Sequence, residues 1–121
     1  MLYLKRKVDD FLTRWKADPD RKPLIVKGPR QVGKTESIKR FGAMNFQSVI
    51  TVNFVEEPKY KMITADGYSA EAIVKNISRI DPSKRFIEGE TLLFFDEIQE
   101  FPDIATALKF FKIDGRYDVI C

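Results

Sequence analysis

The chain has 121 residues, 44% hydrophobic and 32% charged, enough for one domain core and too short for two typical domains. Its 21 basic and 18 acidic residues leave a net charge of +3, too mild to indicate nucleic acid by itself. The absence of histidine removes imidazole acid–base catalysis and the common histidine metal sites, and the lone Cys121 excludes an intrachain disulfide and fits a reducing cytoplasm.

The start, Met1-Leu2-Tyr3-Leu4-Lys5-Arg6-Lys7, puts apolar residues ahead of basic ones and runs into Asp9-Asp10, the reverse of a secretory signal. No apolar run approaches membrane-spanning length. Val8, Phe11, Leu12 and Trp15 recur at i, i+3, i+4 and i+7, which predicts an amphipathic helix within residues 1–20, ended by Asp18-Pro19. The plain reading packs this helix on a sheet. A wall beside a bound base, or a partner surface, is the alternative, because the helix leads into the strand before the next motif.

Leu24-Ile25-Val26, just after Pro23, is a short apolar run that predicts a buried strand. It is followed by Gly28-Pro29-Arg30-Gln31-Val32-Gly33-Lys34-Thr35, a match to G-x-x-x-x-G-K-[ST], the phosphate-binding loop called Walker A. Gly28 and Gly33 can take backbone angles closed to other residues, so the loop can wrap a phosphate tightly. Successive backbone N–H groups converge on the anion, and a following helix adds the positive end of its dipole. Lys34 carries charge to the β and γ phosphates, and the Thr35 hydroxyl is placed to ligate Mg²⁺. Pro29, Arg30, Gln31 and Val32 fill the free positions, where spacing assigns no side-chain role. The motif requires a strand before it and a helix after it; Thr35, Ile38 and Phe41 supply helical spacing, with Gly42 as the expected stop. Without that context the match would be an ordinary glycine turn.

Residues 46–54 are rich in β-branched and aromatic side chains and predict a second strand. Glu56-Glu57-Pro58 suits a helix start, with a stop at Asp66-Gly67. Ser69 can cap the next helix, in which Ile73, Val74, Ile77 and Ile80 form an apolar stripe that Asp81-Pro82-Ser83 ends. Thr91-Leu92-Leu93-Phe94-Phe95 is the uninterrupted run expected of a strand covered on both faces. Beyond it, residues 99–103 predict a loop, Asp103 a cap, and Ile104, Ala107, Leu108 and Phe111 one helical face running to about Lys112. Asp114-Gly115 breaks that helix, and residues 117–121 predict a fourth strand.

The third strand delivers Asp96-Glu97 at its tip, the form of a Walker B. Such an Asp helps to hold Mg²⁺ beside the loop Thr, and the following Glu97 can orient or deprotonate an attacking water. Adjacent carboxylates are common on solvated surfaces, so this signal gains its meaning from the apolar strand and from the Walker A upstream.

Strands alternating with helices predict an α/β domain with a largely parallel sheet. The loop GPRQVGKT, the VNF segment with its following acids, and LLFFDEIQ together resemble a prokaryotic family of AAA-type ATPases with a GPRQ-type phosphate loop and a DEIQ Walker B. The resemblance covers essentially the whole chain and is strongest at residues 24–35 and 92–99. It implies a P-loop NTPase fold, three-layer α/β/α, with residues 23–121 as the nucleotide-binding core and strands in the order 5-1-4-3-2. Family members are longer, so the expectation here is a domain truncated after strand 4, in the order 1-4-3-2. The resemblance implies ATP and Mg²⁺ as cofactors, with Gly28, Gly33, Lys34 and Thr35 at phosphate-loop positions, Asp96 as the metal-associated acid and Glu97 as the catalytic glutamate. It places Asn53 where such enzymes have a polar residue able to contact that glutamate; a plain polar strand end is the alternative. The family's fifth strand, helical lid, sensor residue after strand 4 and acting arginine would lie outside these residues. The expectation is therefore weak hydrolysis by this chain, and self-association through the edge of the first strand.

The implied function is ATP binding with Mg²⁺ and, in the intact protein, hydrolysis to ADP and phosphate. An ATP-dependent switch module with little hydrolysis and a small-molecule kinase remain alternatives. A GTPase is disfavoured by the lack of an N-K-x-D motif. ATP and ADP are the expected partners, a homo-oligomer is a further option, and nucleic acid, a partner protein and a paired effector all stay open as the client. A membrane is not expected, and the expected location is cytoplasmic.

Overall fold

Thr91–Asp96 forms the central strand of the structure, a computed structural model that describes residues 7–26 and 32–121. In chain order the elements are α1 (Lys7–Ala17), α2 (Val32–Asn45), β1 (Ser48–Asn53), a 3₁₀ turn (Pro58–Met62), α3 (Ala70–Ile80), β2 (Thr91–Asp96), a second 3₁₀ turn (Ile98–Glu100), α4 (Ile104–Asp114) and β3 (Asp118–Ile120). The strands run parallel in the order β1-β2-β3, with Ser48 opposite Thr91, Asn53 opposite Asp96, and Phe94 opposite Ile120. Among the described residues no helix is long and apolar enough to cross a membrane.

On the other side of β3, Leu24 forms a parallel bridge to Ile120. Leu24 N–H donates to the Val119 carbonyl at 2.9 Å, Val26 N–H to that of Cys121 at 2.8 Å, and Cys121 N–H returns to Leu24 at 2.8 Å. Among the described residues, the expected strand at residues 24–26 is a parallel bridge beside β3, tied to it by these three backbone hydrogen bonds.

Every residue of β2 from Thr91 to Phe95 is buried, and successive side chains point to opposite faces. Leu93 and Phe95 join Ile50, Val52 and Val119 beneath α3 (Ile73, Ile77) and α4 (Ile104, Ala107, Phe111). Leu92, Phe94 and Ile120 meet Leu12 of α1 and Ile38 and Phe41 of α2 on the other face. Helices thus cover both faces of a parallel sheet, and the N-terminal helix packs on it. Its stripe is narrower than its spacing suggests: Leu12 is fully buried while Phe11 is 49% exposed. Trp15 compensates by donating from Nε1 to the Lys22 carbonyl at 2.8 Å.

Several boundaries differ from expectation for local reasons. The second strand is shorter than residues 46–54, because Phe46 and Phe54 turn into opposite faces of the core at its two ends. The helix expected after Glu57 is only a 3₁₀ turn, Pro58–Met62, followed by further turns to Gly67, whose φ is +111°. Tyr60 and Ile63 are fully buried there, so tertiary burial at three-residue spacing favours the tighter helix. Asp103 stands at the start of α4 but caps nothing with its side chain: its backbone is already helical, at φ −55°, and its own carbonyl accepts from Thr106 N–H at 3.1 Å. Ser69, by contrast, accepts from Ala72 N–H at 3.1 Å, and Gly115 ends α4 in the left-handed region.

Gly42 is the clearest departure. It does not stop α2, which continues to Asn45, but sits buried within the helix. A Cβ placed on it would lie 2.9 Å from Leu92 Cδ2 and 2.9 Å from Val49 Cγ2. The glycine therefore sets how closely α2 approaches the sheet. Alanine would gain ~1 kcal/mol in helix propensity. Overpacking against a branched valine and a fully buried leucine costs ~1–3 kcal/mol and should win. Gly42→Ala is expected to lower the urea midpoint with an unchanged slope; a raised midpoint would show that α2 moves away freely.

The outer edge of β1 is covered by the connector after α3. Lys84 Nζ donates to the Thr51 carbonyl at 3.4 Å, and Ser48 Oγ donates to the Arg85 carbonyl. At the opposite end of the strands, Arg21 grips Asp118 at the start of β3, with Nε to Oδ1 at 2.7 Å and Nη2 to Oδ2 at 2.8 Å.

Candidate active site

Because all strands run parallel, their C-terminal ends lie on one edge, where open α/β sheets commonly bind ligands. Val26, Asn53, Asp96 and Cys121 mark that edge. Residues 24–26 border β3, and β3 borders β2, so Val26 and Asp96 stand two strand spacings apart, about 10 Å.

Of the predicted loop, Gly28, Pro29, Arg30 and Gln31 lie outside the described residues. Val32, Gly33 and Lys34 are the first residues of α2 by their backbone, and their side-chain surroundings also lie outside what is described. Thr35 is half-buried in the first turn of the same helix. Lys34 and Thr35 thus share a helix start, while Asp96 and Glu97 share the tip of β2.

Asp96 is half-buried, and its carboxylate accepts from two groups among the described residues. Its Oδ1 takes Glu97 N–H at 2.9 Å and its Oδ2 takes the Asn53 side-chain amide at 3.4 Å. Asn53 is directly opposite in register, which is why its side chain reaches across. Its own Oδ1 accepts from Val55 and Glu56 N–H, both at 2.9 Å, an Asx turn that bends the chain off β1. The structure therefore directs Asn53 to Asp96, where the resemblance implied a contact with Glu97.

Glu97 adopts φ +61°, ψ +46°, the one non-glycine left-handed residue among those described. That conformation costs ~1–2 kcal/mol for an L side chain. It turns the chain directly from β2 into Ile98–Glu100, a turn closed by Glu100 N–H to the Glu97 carbonyl at 3.1 Å. Within it, the Gln99 side-chain amide donates to Glu97 Oε2. Ile98 and Phe101 anchor the turn in the core, with the Phe101 ring 5.0 Å from that of Phe54. Sequence reasoning missed the left-handed glutamate, which carries no glycine to announce it. It also left Gln99 as loop.

Cys121 also ends on this edge, but burial pushes its thiol up to about 12, so it offers no thiolate nucleophile at neutral pH. Among the described residues no group of three or more His, Cys, Asp or Glu side chains could form a metal cage. A pocket of about 140 Å³ lies at the other end of the strands, lined in part by Arg21, Lys22, Lys112 and Asp118. Two of its cations, Arg21 and Lys112, are already engaged. The Asp118 hydrogen bond raises the Arg21 pKa above its ordinary value, and Lys112 Nζ donates to the Asp20 carbonyl at 2.9 Å.

A family profile described as an AAA domain matches residues 20–121. No curated protein and no solved structure matches the chain.

Proposed function

Because the chain belongs to the AAA domain family, we propose that it binds ATP with Mg²⁺ at the loop formed by residues 28–35 and that the intact protein hydrolyses it to ADP and phosphate. The observation that carries this reading is the shared edge. Val26, just ahead of the loop, and the strand tip bearing Asp96 and Glu97 lie on the same edge, and the glutamate stands there in a strained backbone conformation. The fold reading is a P-loop NTPase core over residues 23–121 with residues 1–20 as a helical lead-in. Its strand order 1-4-3-2 is supported by the bridge of Leu24 to Ile120 beyond β3.

In this reading, backbone N–H groups of Gly28, Arg30, Gln31, Val32 and Gly33 would surround the phosphates, Pro29 having none to give, and the start of α2 would add its dipole. Lys34 stabilises negative charge on the β and γ phosphates. The Thr35 hydroxyl and the Asp96 carboxylate are oxygen donors, the type Mg²⁺ takes when substrate phosphates complete its shell, and they would hold it. The bound metal ion supplies charge neutralisation at the phosphates. Glu97 orients a water for in-line attack and accepts its proton. Asn53, through Asp96 Oδ2, fixes the orientation of the metal-holding carboxylate. A cytoplasmic location and a homo-oligomeric state are part of the same proposal.

Lys34→Ala tests the binding step. Losing a charge-assisted contact of this kind corresponds to ~1.5–3 kcal/mol, or a ~10–100-fold weaker Kd for Mg·ATP by calorimetry. An unchanged Kd would remove the phosphate-loop assignment.

A further inference from the structure

We propose that the pocket at the starting end of the strands binds a small oxyanion of the phosphate type, held chiefly by Lys22. Arg21, Lys22, Lys112 and Asp118 line it, with Gly115 and Tyr117 in the remaining wall. Asp118 is the only acid of that lining, and Arg21 takes both of its oxygens, Nε to Oδ1 at 2.7 Å and Nη2 to Oδ2 at 2.8 Å. That pair cancels, and two lysines are left over. Lys112 Nζ donates to the carbonyls of Asp20 and Arg21, at 2.9 and 3.4 Å, which uses donors but leaves its charge uncompensated. Lys22 is held through its backbone, its carbonyl accepting from Trp15 Nε1 at 2.8 Å. Its ammonium makes no hydrogen bond or ion pair among the described residues.

Three cations against one carboxylate give the lining a formal charge of +2. The C-terminal end of α4, at Gly115, offsets roughly half a charge of this. Asp18 and Asp20 stand in the exposed turn beside the pocket and outside its wall, where solvent screens them. What remains is a surplus of charged donors without acceptors, the chemistry that an oxyanion completes. Size sets the class of ligand. A pocket of about 140 Å³ has room for roughly five waters, so a five-atom oxyanion fits. A nucleotide does not, since pockets for ligands of that size begin at about 300 Å³. The site is also preorganised: Pro19 and Pro23 fix the chain on either side of Arg21 and Lys22, which lowers the ordering cost of binding. A bound anion would join the lead-in to residues 24–26 to α4, and so should stabilise the fold by linkage.

The test is a ¹⁵N–¹H titration of the full chain with inorganic phosphate, exchanged for chloride at constant ionic strength. Backbone amides of Lys22, Lys112, Gly115 and Tyr117 should shift together and saturate, with a Kd on the order of 1 mM for a few partly solvated contacts. Lys22→Ala should weaken that Kd at least about fivefold, and Lys22→Arg should keep it within about twofold. Both variants should melt with wild type in phosphate-free buffer, because the bond that holds residue 22 runs through its carbonyl. Phosphate should then raise the melting temperature of wild type more than that of Lys22→Ala. Shifts confined to the loop at residues 28–35 would mean that the anion goes there alone, and would overturn the inference. So would shifts that grow linearly without saturating, which report screening, or an unchanged Kd in Lys22→Ala.

Discussion

Glu97→Gln should leave Mg·ATP binding within about twofold of wild type and reduce phosphate release by ~10²–10⁴-fold. The carboxamide has the same shape and can occupy the same left-handed backbone site, so the turn into Ile98–Glu100 should persist. It cannot accept a proton from water. The substitution also leaves Asp96 untouched, because the contact between them runs from the Glu97 backbone N–H to Asp96 Oδ1. Calorimetry for binding and a phosphate assay under single-turnover conditions separate the two effects. Hydrolysis at the wild-type rate would show that another group activates the water. Loss of binding together with hydrolysis would show that residue 97 shapes the nucleotide site itself.

The largest expected effect on stability is at Phe95. Its side chain is fully buried, stacked on Phe54 with centroids 6.0 Å apart and set edge-on to Phe111 at 6.2 Å. It therefore joins β2 to the chain leaving β1 and to α4. Phe95→Ala should cost ~3–5 kcal/mol. Set against a total of ~5–15 kcal/mol for ordinary domains, this is a large fraction. A fall of roughly 10–20 °C in melting temperature is expected for a chain of this size. A loss under ~1 kcal/mol in urea titration would mean that the surrounding rings close over the gap.

The parts legible in the sequence are those in which local chemistry and tertiary burial agree. Ser69 sits ahead of an apolar stripe and caps α3, and Thr91 to Phe95 are apolar without interruption and are buried without interruption. Residues 56–66 were misread because the acids and proline that favour a helix start say nothing of Tyr60 and Ile63, whose burial holds the segment in tighter turns. Gly42 was misread because a glycine that ends a helix and one that lets a helix approach a sheet look alike in one dimension. At the candidate site, the residue types at positions 96 and 97 and the strand that carries them could be read directly. The orientation of Asn53 toward Asp96, the left-handed turn at Glu97 and the reach of Gln99 depend on register and backbone angles, which no spacing rule reports.

Gly42 bears on more than packing. Helix α2 is a stiff rod, and at 1.5 Å per residue its first residue, Val32, lies roughly 15 Å along the axis from the glycine. Contact with Val49 and Leu92 works as a fulcrum for that rod. Any side chain at position 42 would lift one end from the sheet and tip the other, where Lys34 and Thr35 begin the helix. Displacements of about 1 Å at a reacting centre can change rates a hundredfold. On the proposed phosphate-loop reading, the hydrogen that Gly42 carries in place of a side chain would therefore bear on how Lys34 and Thr35 are aimed at the other end of α2.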